Sequence, residues 1–262
     1  MDKQKIDLEQ IKHNIYVIRL LAKRDRQRGN SSALLGQMWQ IINPFINMIV
    51  MALIFTDMFG NKNFVNFPIY ILVGTMIYTP FAEGTFSCLT ALSGNKNFLV
   101  NSSISRSLYP IEKVYVAFVN FGFSAIIFVF VAIYYGIKPK LEWVLIIPNL
   151  ILLFLFILGV GKILSIINVL FADITYFYRI FRLFVFYASG LFYDTSRLSP
   201  FMQKVISLNP IYESIAIARI CLIDGQLPSI TLWIKLFIYT LFFYILGTYI
   251  YNKNVNNMVD KI

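Results

Sequence analysis

Histidine and cysteine are nearly missing from this chain, and charge is scarce. His13 is the only histidine, so an imidazole-based triad or a histidine metal cluster cannot be assembled within one copy. The two cysteines, Cys88 and Cys221, fall in segments assigned below to opposite halves of a membrane. That placement argues against a structural disulfide, and neither belongs to a metal-ligand spacing. Only 14% of residues are charged, and no carboxylates pair at a catalytic spacing. Gly159-Val160-Gly161-Lys162-Ile163 has the outline of a phosphate loop, but Ile163 replaces the required Ser or Thr and the run lies within an apolar segment. Residues 1–30 carry charges throughout and lack an uninterrupted apolar core, so no cleavable signal peptide is expected. No enzyme site, metal or cofactor is therefore expected in this chain.

What the chain has instead is apolar length. It is 58% hydrophobic, with mean hydropathy +0.68, far from the balance of a soluble domain. Residues 34–59, LLGQMWQIINPFINMIVMALIFTDMF, would cross a hydrocarbon core of ~30 Å as a helix. Similar stretches recur, giving six expected spans at about 37–59, 68–92, 110–135, 143–170, 174–193 and 231–251. Pro68, Pro110 and the Lys138-Pro139-Lys140 turn mark starts, where a residue without an amide donor is tolerated. An even number puts both termini on one side. Fifteen of the 23 lysines and arginines fall on that side and seven on the other, with Lys162 inside span four, so both termini are expected to be cytoplasmic. The formal charge of +10 is explained by this loop bias and by the membrane surface, and nucleic-acid binding is not expected. Asn30-Ser31-Ser32 and Asn101-Ser102-Ser103 match glycosylation sequons but face the cytoplasm in this topology.

The expected fold is thus an all-α integral membrane bundle. Its first part, residues 1–33, is an amphipathic leader, and residues 34–262 form the transmembrane domain. In the leader, Leu8, Ile11, Ile15, Ile18 and Ala22 follow one narrow helical face, flanked by Lys5, Lys12, Arg19 and Lys23. That pattern suits a helix lying in the interface, its basic stems reaching to headgroups, and offering a face to a cytoplasmic partner. A solvated helix packing on its own protein is the alternative. The loop SGNKNFLVNSSISRSLYP (93–110) holds Phe98, Leu99, Val100 and Ile104, which predicts a short protruding helix or a loop folded on the bilayer surface. Residues 194–230 hold two apolar runs, 201–208 and 211–223, split by Asn209-Pro210. Each is too short to span, and Asn209 as N-cap with Pro210 at the first helical position signals a helix start. Two short re-entrant outer helices follow, acting as a gate or as a fixed cap.

Span five is aromatic at nine of twenty positions, against 17% for the chain. Tyr176, Tyr178, Phe192 and Tyr193 suit interface belts, while Phe181, Phe184, Phe186 and Tyr187 lie deeper. Such rings can line a path for sugar, face lipid or pack in the core. Glu83, Lys162 and Arg182 share a depth of roughly 12 Å from the inner ends of their spans, so Glu83 is expected to pair with Lys162 or Arg182.

Taken together these features resemble type-2 ABC exporter permeases. The resemblance rests on the leader, Lys23-Arg24-Asp25, Leu35-Gly36-x-x-Trp39…Asn43-Pro44, Ser105-Arg106-Ser107-Leu108-Tyr109-Pro110, Phe171-Ala172-Asp173, and Ser207-Leu208-Asn209-Pro210-Ile211-Tyr212…Arg219…Gly225-x-x-Pro228. Ala172 stands where the family has arginine. The subgroup it looks like is the polysaccharide exporters for O-antigen, capsule and teichoic acid. The resemblance implies a homodimer in a bacterial cytoplasmic (inner) membrane, paired with two copies of a separate ABC ATPase that binds ATP and Mg. The cargo would be a lipid-linked glycan. Trp39, Phe181, Phe184 and Tyr187 would line the channel. Ile11, Ile15, Arg19, Phe98, Leu99, Ile104 and Arg106 would receive the ATPase's movement, and Asn209, Pro210, Glu213 and Arg219 would form the outer gate. A permease for a drug or small lipid shares the same scaffold, and a non-transporting membrane scaffold is the rival from another class.

Overall fold

The computed structural model describes residues 8–30, 67–101, 104–193, 195 and 198–259, with a few isolated helical positions between 42 and 54. Expected span one, and Trp39 within it, therefore lie almost wholly outside the described residues. The described chain is helical throughout. Helix α1 is Leu8–Asn30 and α2 is Phe67–Leu89. A 3-10 turn, Ser93–Asn95, leads into the short α3, Lys96–Asn101, and then α4, Leu108–Tyr134. A second 3-10 turn, Leu141–Leu145, opens α5, Ile146–Leu170, followed by α6, Ile174–Tyr187. The pair at the end expected to face outward, and called outer on that expectation, is α7, Pro200–Ile206, and α8, Pro210–Arg219, which continues as a π turn to Asp224. Helix α9 is Ile230–Val259.

Three segments, Leu108–Tyr134, Leu141–Leu170 and Ile230–Met258, are long and apolar enough to cross a membrane. The α7–α8 pair, bent by 95°, adds a fourth if its two arms count as one crossing. This is a multi-pass membrane protein. Helix α2 has the length, 23 residues, but Pro80, Glu83 and its threonines and glycines dilute its apolar character. It occupies the centre of the bundle, against α4, α5, α6 and α8.

Burial runs opposite to that of a soluble bundle. The exposed stripe of α9, Ile230, Ile234, Phe237, Ile238, Leu241, Ile245 and Tyr249, is apolar, and so is the outer face of α4 around Val129, Phe130 and Ile133. Polar side chains such as Thr85, Asn149, Ser165, Ser214 and Thr240 are buried between helices. Lipid is as apolar as leucine, so helices associate through small residues and hydrogen bonds. The α5–α9 contact, the most extensive in the bundle, follows that rule. A Cβ on Gly247 would overlap the Gly159 backbone, and one on Gly159 would overlap the Phe243 carbonyl.

Two boundaries depart from expectation. Span five, expected over 174–193, is helical only to Tyr187, and fourteen residues rise about 21 Å, short of a ~30 Å core. The chain turns at Ala188–Gly190, where Gly190 holds φ +62°, a conformation that glycine adopts without strain. Phe192, expected in an interface belt, is instead buried. Span six, expected to end near 251, continues to Val259 because Tyr251, Val255 and Met258 form a buried stripe against Leu108 and Tyr109 at the inner end.

Replacing Gly247 by Ala should force α5 and α9 apart at about 1–3 kcal/mol, read as a lower melting temperature in detergent. Gly122→Ala, where nothing lies within 4 Å of the new methyl, should leave melting unchanged.

Candidate functional site

At the inner end, α1 is held against α4 by a buried patch and a polar latch. Val17 and Leu21 join Leu92, Leu99, Leu108, Tyr109, Tyr251 and Val255 in one cluster, and Ala22 is buried beside them on α1. Only Ile18 and Ala22 of the expected stripe face the protein, and Ile11 and Ile15 stay 40% and 46% exposed. Arg19 is also exposed, and the side chain of Leu8 lies outside the described residues. The face is set by the latch at the far end of the helix. Arg24 donates to Asp25 at 2.8 Å and to Asn95 Oδ1 at 2.6 Å. Lys113 of α4 donates to Asp25 and lies 3.4 Å from Glu112. Asn95 closes the circuit by donating to the Ala91 carbonyl at 2.9 Å. Three elements, α1, the 3-10 turn before α3, and the first turns of α4, therefore meet at one cluster of charge.

The expected coupling segment is only partly a free surface. Leu99 is buried and Ile104 packs on the inner cluster, which corrects the expectation that both stand out for a partner. They turn inward because an apolar side chain at this level finds the α9 stripe at hand. Phe98 remains exposed beneath the Arg24 guanidinium, 4.6 Å from the ring centre. Arg106 donates to Asn256 at 2.5 Å, and the Tyr251 hydroxyl donates to the Arg106 carbonyl at 2.7 Å.

At the outer end, α8 is clamped from three sides. Asn209 caps the Ile211 amide at 3.0 Å and donates to Ser189 Oγ at 2.9 Å. Ser214 donates to Asn149 Oδ1 of α5 at 2.9 Å, and Asn149 returns a bond to the Ser214 carbonyl at 3.0 Å. Lys235 of α9 approaches Glu213 Oε1 at 3.2 Å. Arg219, buried, donates to the carbonyls of Tyr70, Gly190 and Leu191 and lies 3.4 Å from the centre of the Tyr70 ring. Asn209, Pro210, Glu213 and Arg219 thus meet in a fixed framework, while α7 beside them is largely exposed.

In the middle, the expected ion pair does not form. Glu83 accepts from Asn120 of α4 at 2.9 Å. Lys162 donates to Thr248 of α9 at 3.0 Å and faces the Tyr244 ring. Arg182 donates to the Ala82 carbonyl at 3.3 Å. Shared depth says nothing about azimuth. A Cβ on Gly161 would press on Cys88 of α2, so Lys162, about 100° further round the helix, points to α9 instead.

Helix α6 presents its aromatic face outward. Phe181, Phe184 and Tyr187 are 53%, 65% and 60% exposed, with Phe177 and Ile180 continuing the strip, while Tyr178 and Val185 face the bundle. Three of the four expected channel residues therefore lie on one uncovered surface.

Residues 16–223 match the family model described as ABC-2 type transporter. This chain belongs to that family. The matched region of this ABC-2 transporter chain spans the latch, the aromatic strip and α8, and stops before α9. Among similar proteins are two from Klebsiella pneumoniae and one from Myxococcus xanthus, each called O-antigen export system permease protein RfbA. All three are 24% identical to this chain. The Klebsiella alignments cover 79% and 89% of this chain and 80% and 90% of those proteins; the Myxococcus alignment covers 80% and 81%. ABC-2 transporter chains are membrane subunits, in keeping with the lack of any catalytic constellation expected from the sequence.

Sequence reasoning missed Asn95 and Asn149, and did not join Asp25 to Lys113. An available signal was Glu112-Lys113, two charges set at the opening of an apolar span.

Two outcomes are expected of these clusters. Burial alone would raise the Asp25 carboxyl, but the hydrogen bond and charge of Lys113, then those of Arg24, outweigh it and hold the group below its ordinary 3.8. A depressed folded-state value stabilises docking above the ordinary value and is lost as pH falls through the folded one. Exchange protection of residues 8–30 should therefore persist at neutral pH and fall only below about pH 4, whereas Asp25→Asn should lose it at pH 7. Arg219→Lys, with three donors but no planar fork, should leave carbonyls unmet and lower stability by about 2–4 kcal/mol, measured by thermal unfolding in detergent.

Proposed function

We propose that this chain is the permease subunit of an ATP-driven exporter that moves a lipid-linked polysaccharide, of O-antigen type, from the cytoplasmic to the outer side of a bacterial inner membrane. The observation that carries the reading is the similarity to permeases named for O-antigen export, covering 79–89% of this chain in three separate alignments. The uncovered aromatic strip of α6 supports it, since flat apolar faces with tyrosine hydroxyls suit the C–H faces and hydroxyls of sugar rings.

In this reading six spans cross the membrane with both termini cytoplasmic, and α7 and α8 re-enter from the outer side. The chain pairs with itself, and Trp39 and the α6 strip of each copy line a channel between them. One bundle without a wide internal passage cannot conduct a hydrated glycan, so the passage needs two copies. Export uphill needs an energy source, supplied by two copies of a cytoplasmic ABC ATPase that hold ATP and Mg. Its motion enters through the exposed face of α1, Ile11, Ile15 and Arg19, and through Phe98 and Arg106. The Asp25–Lys113 latch then passes it to α4. The outer gate is α7 moving against α8, with Asn209, Pro210, Glu213 and Arg219 as its fixed side.

The test is reconstitution in sealed vesicles. Chain plus ATPase should accumulate labelled lipid-linked glycan on the far side when ATP is added, and the chain alone should move nothing uphill. ATP turnover that responds to amphiphilic drugs and to no glycolipid would assign the complex to small-molecule export instead.

A further inference from the structure

One buried acid in the inner latch has no hydrogen bond. Glu112, in the second turn of α4, is 1% exposed, and among the described residues neither of its carboxylate oxygens accepts one. The buried Tyr109 hydroxyl, three residues earlier on the same helix, also lacks a partner and so does not supply it. A buried carboxylate left in that state is rare and calls for an explanation. The cation beside it is its neighbour in sequence. Lys113 Nζ lies 3.4 Å from Glu112 Oε2 but gives its hydrogen bond to Asp25 of α1.

The four charges of the latch divide by element. Arg24 and Asp25 are adjacent on α1 and joined by two bonds to the same Oδ1, 3.0 Å from Nε and 2.8 Å from Nη2. Glu112 and Lys113 are adjacent on α4. Among the described residues, the ion pair that ties the two elements together is Lys113 with Asp25, while Arg24 reaches across only to the neutral amide of Asn95. If α1 is drawn away, each side therefore keeps one cation and one anion. Parting an ion pair is most costly when one charge is left without a partner. Lys113 need not be left so. Its ammonium has three donors on a flexible four-carbon stem, already within ion-pair distance of a carboxylate whose acceptor positions are vacant. A small swing of the side chain changes the acceptor without a shift of the α4 backbone.

We propose that Glu112 is the reserve acceptor for Lys113: with α1 docked the ammonium is bonded to Asp25, and with α1 withdrawn it passes to Glu112. The joint then has two positions, and in both of them all four charges stay paired. Withdrawn, Arg24 and Asp25 leave together on α1, and Lys113 and Glu112 remain together on α4. Glu112 acts through Lys113 and is a positioning residue of the latch. The exchange explains why an acid occupies a nearly sealed site that an apolar side chain of similar size would fill at lower cost. It rests on the export reading only for what draws α1 away, the motion of a nucleotide-driven partner; the change of acceptor belongs to this chain alone.

The test reads amide hydrogen exchange of the full chain in phosphatidylcholine nanodiscs at pH 7, along α1 and along the first two turns of α4. Glu112→Gln removes the reserve acceptor but leaves Lys113 on Asp25, so withdrawal of α1 now strands an ammonium. Exchange of the α1 amides should slow by about tenfold. An acid that only braces the docked state predicts the opposite sign, and faster or unchanged α1 exchange in Glu112→Gln would overturn the proposal. Glu112→Asp, which keeps the charge, should return α1 exchange most of the way to wild type. If Glu112→Gln fails to fold, Asp25→Asn decides. It frees α1, while the first turns of α4 should keep wild-type protection because Lys113 has Glu112; loss of protection there would overturn the proposal equally. Asp25→Asn/Glu112→Gln, with no acid left for Lys113, should lose protection in both elements and melt below either single variant. Transport by chain plus ATPase keeps the two readings apart. Slowed α1 exchange in Glu112→Gln, with no ATP-driven glycan export by the wild type, would sink the export function and leave the exchange of acceptors. Glycan export by the wild type, with α1 exchange unaltered in Glu112→Gln, would sink the exchange of acceptors and leave the function.

Discussion

A helix that ends inside a membrane protein must give its last carbonyls to something other than water. The end of α6 does so, and the outer half of the bundle is organised around the answer. The turn after Tyr187 releases the Gly190 and Leu191 carbonyls, and the α8 residue Arg219 takes both, together with Tyr70 at the start of α2. Asn209 adds a bond to the Ala188 carbonyl at 3.2 Å. A single buried cation thereby fixes the start of α2, the break after α6 and the end of α8. Helix α6 can be short because of it, and a short α6 leaves the outer volume to α7 and α8.

The two ends of the bundle are built differently. Outer contacts are buried and reciprocal: Asn149 with Ser214, Glu213 with Lys235, Arg219 with three carbonyls. Inner contacts link a helix on the surface to the bundle through half-buried ions, Arg24, Asp25 and Lys113. Breaking a buried polar contact costs more than breaking one that water can replace. In the proposed reading, a push delivered at the inner face finds the softer joint first. It displaces α1 and the start of α4, which α2 contacts along its length, while α8 holds its place. A bundle soft at one end and rigid at the other is suited to receive force on the inside and keep its outer frame.

The sequence carried the lengths of the helices better than their directions. Apolar runs and prolines located α4, α5 and the start of α9, and Asn209-Pro210 marked the start of α8 by a local mechanism that tertiary packing did not alter. Positions that needed an azimuth went astray. Glu83, Lys162 and Arg182 share a depth, but the glycine contacts that orient α5 are set by α2 and α9 together, and neither is written in the residues near Lys162. The face by which α1 packs on the bundle was not legible for a similar reason. A stripe chosen by apolar spacing favoured Ile11 and Ile15, whereas one salt-bridged residue near the helix end, Asp25, chose Val17 and Leu21. The end of α6 was hidden because Ser189-Gly190 sits in an apolar context that reads as continuing helix until Arg219, thirty positions on, is seen to cap it.

What is left uncovered follows from what is satisfied. Most buried polar groups in α8, α5 and α9 find partners among the described residues. Helix α6 differs, because it turns large aromatic rings outward while Arg179 and Arg182 lie on the opposite side, over Phe86 of α2. Lipid tails can cover rings but cannot balance guanidinium groups. The Ala82 carbonyl, the Phe86 ring and the facing Glu83 hold the guanidinium groups from the α2 side. The strip of Phe181, Phe184 and Tyr187 is then the part of α6 that its own chain leaves without a packing partner among the described residues.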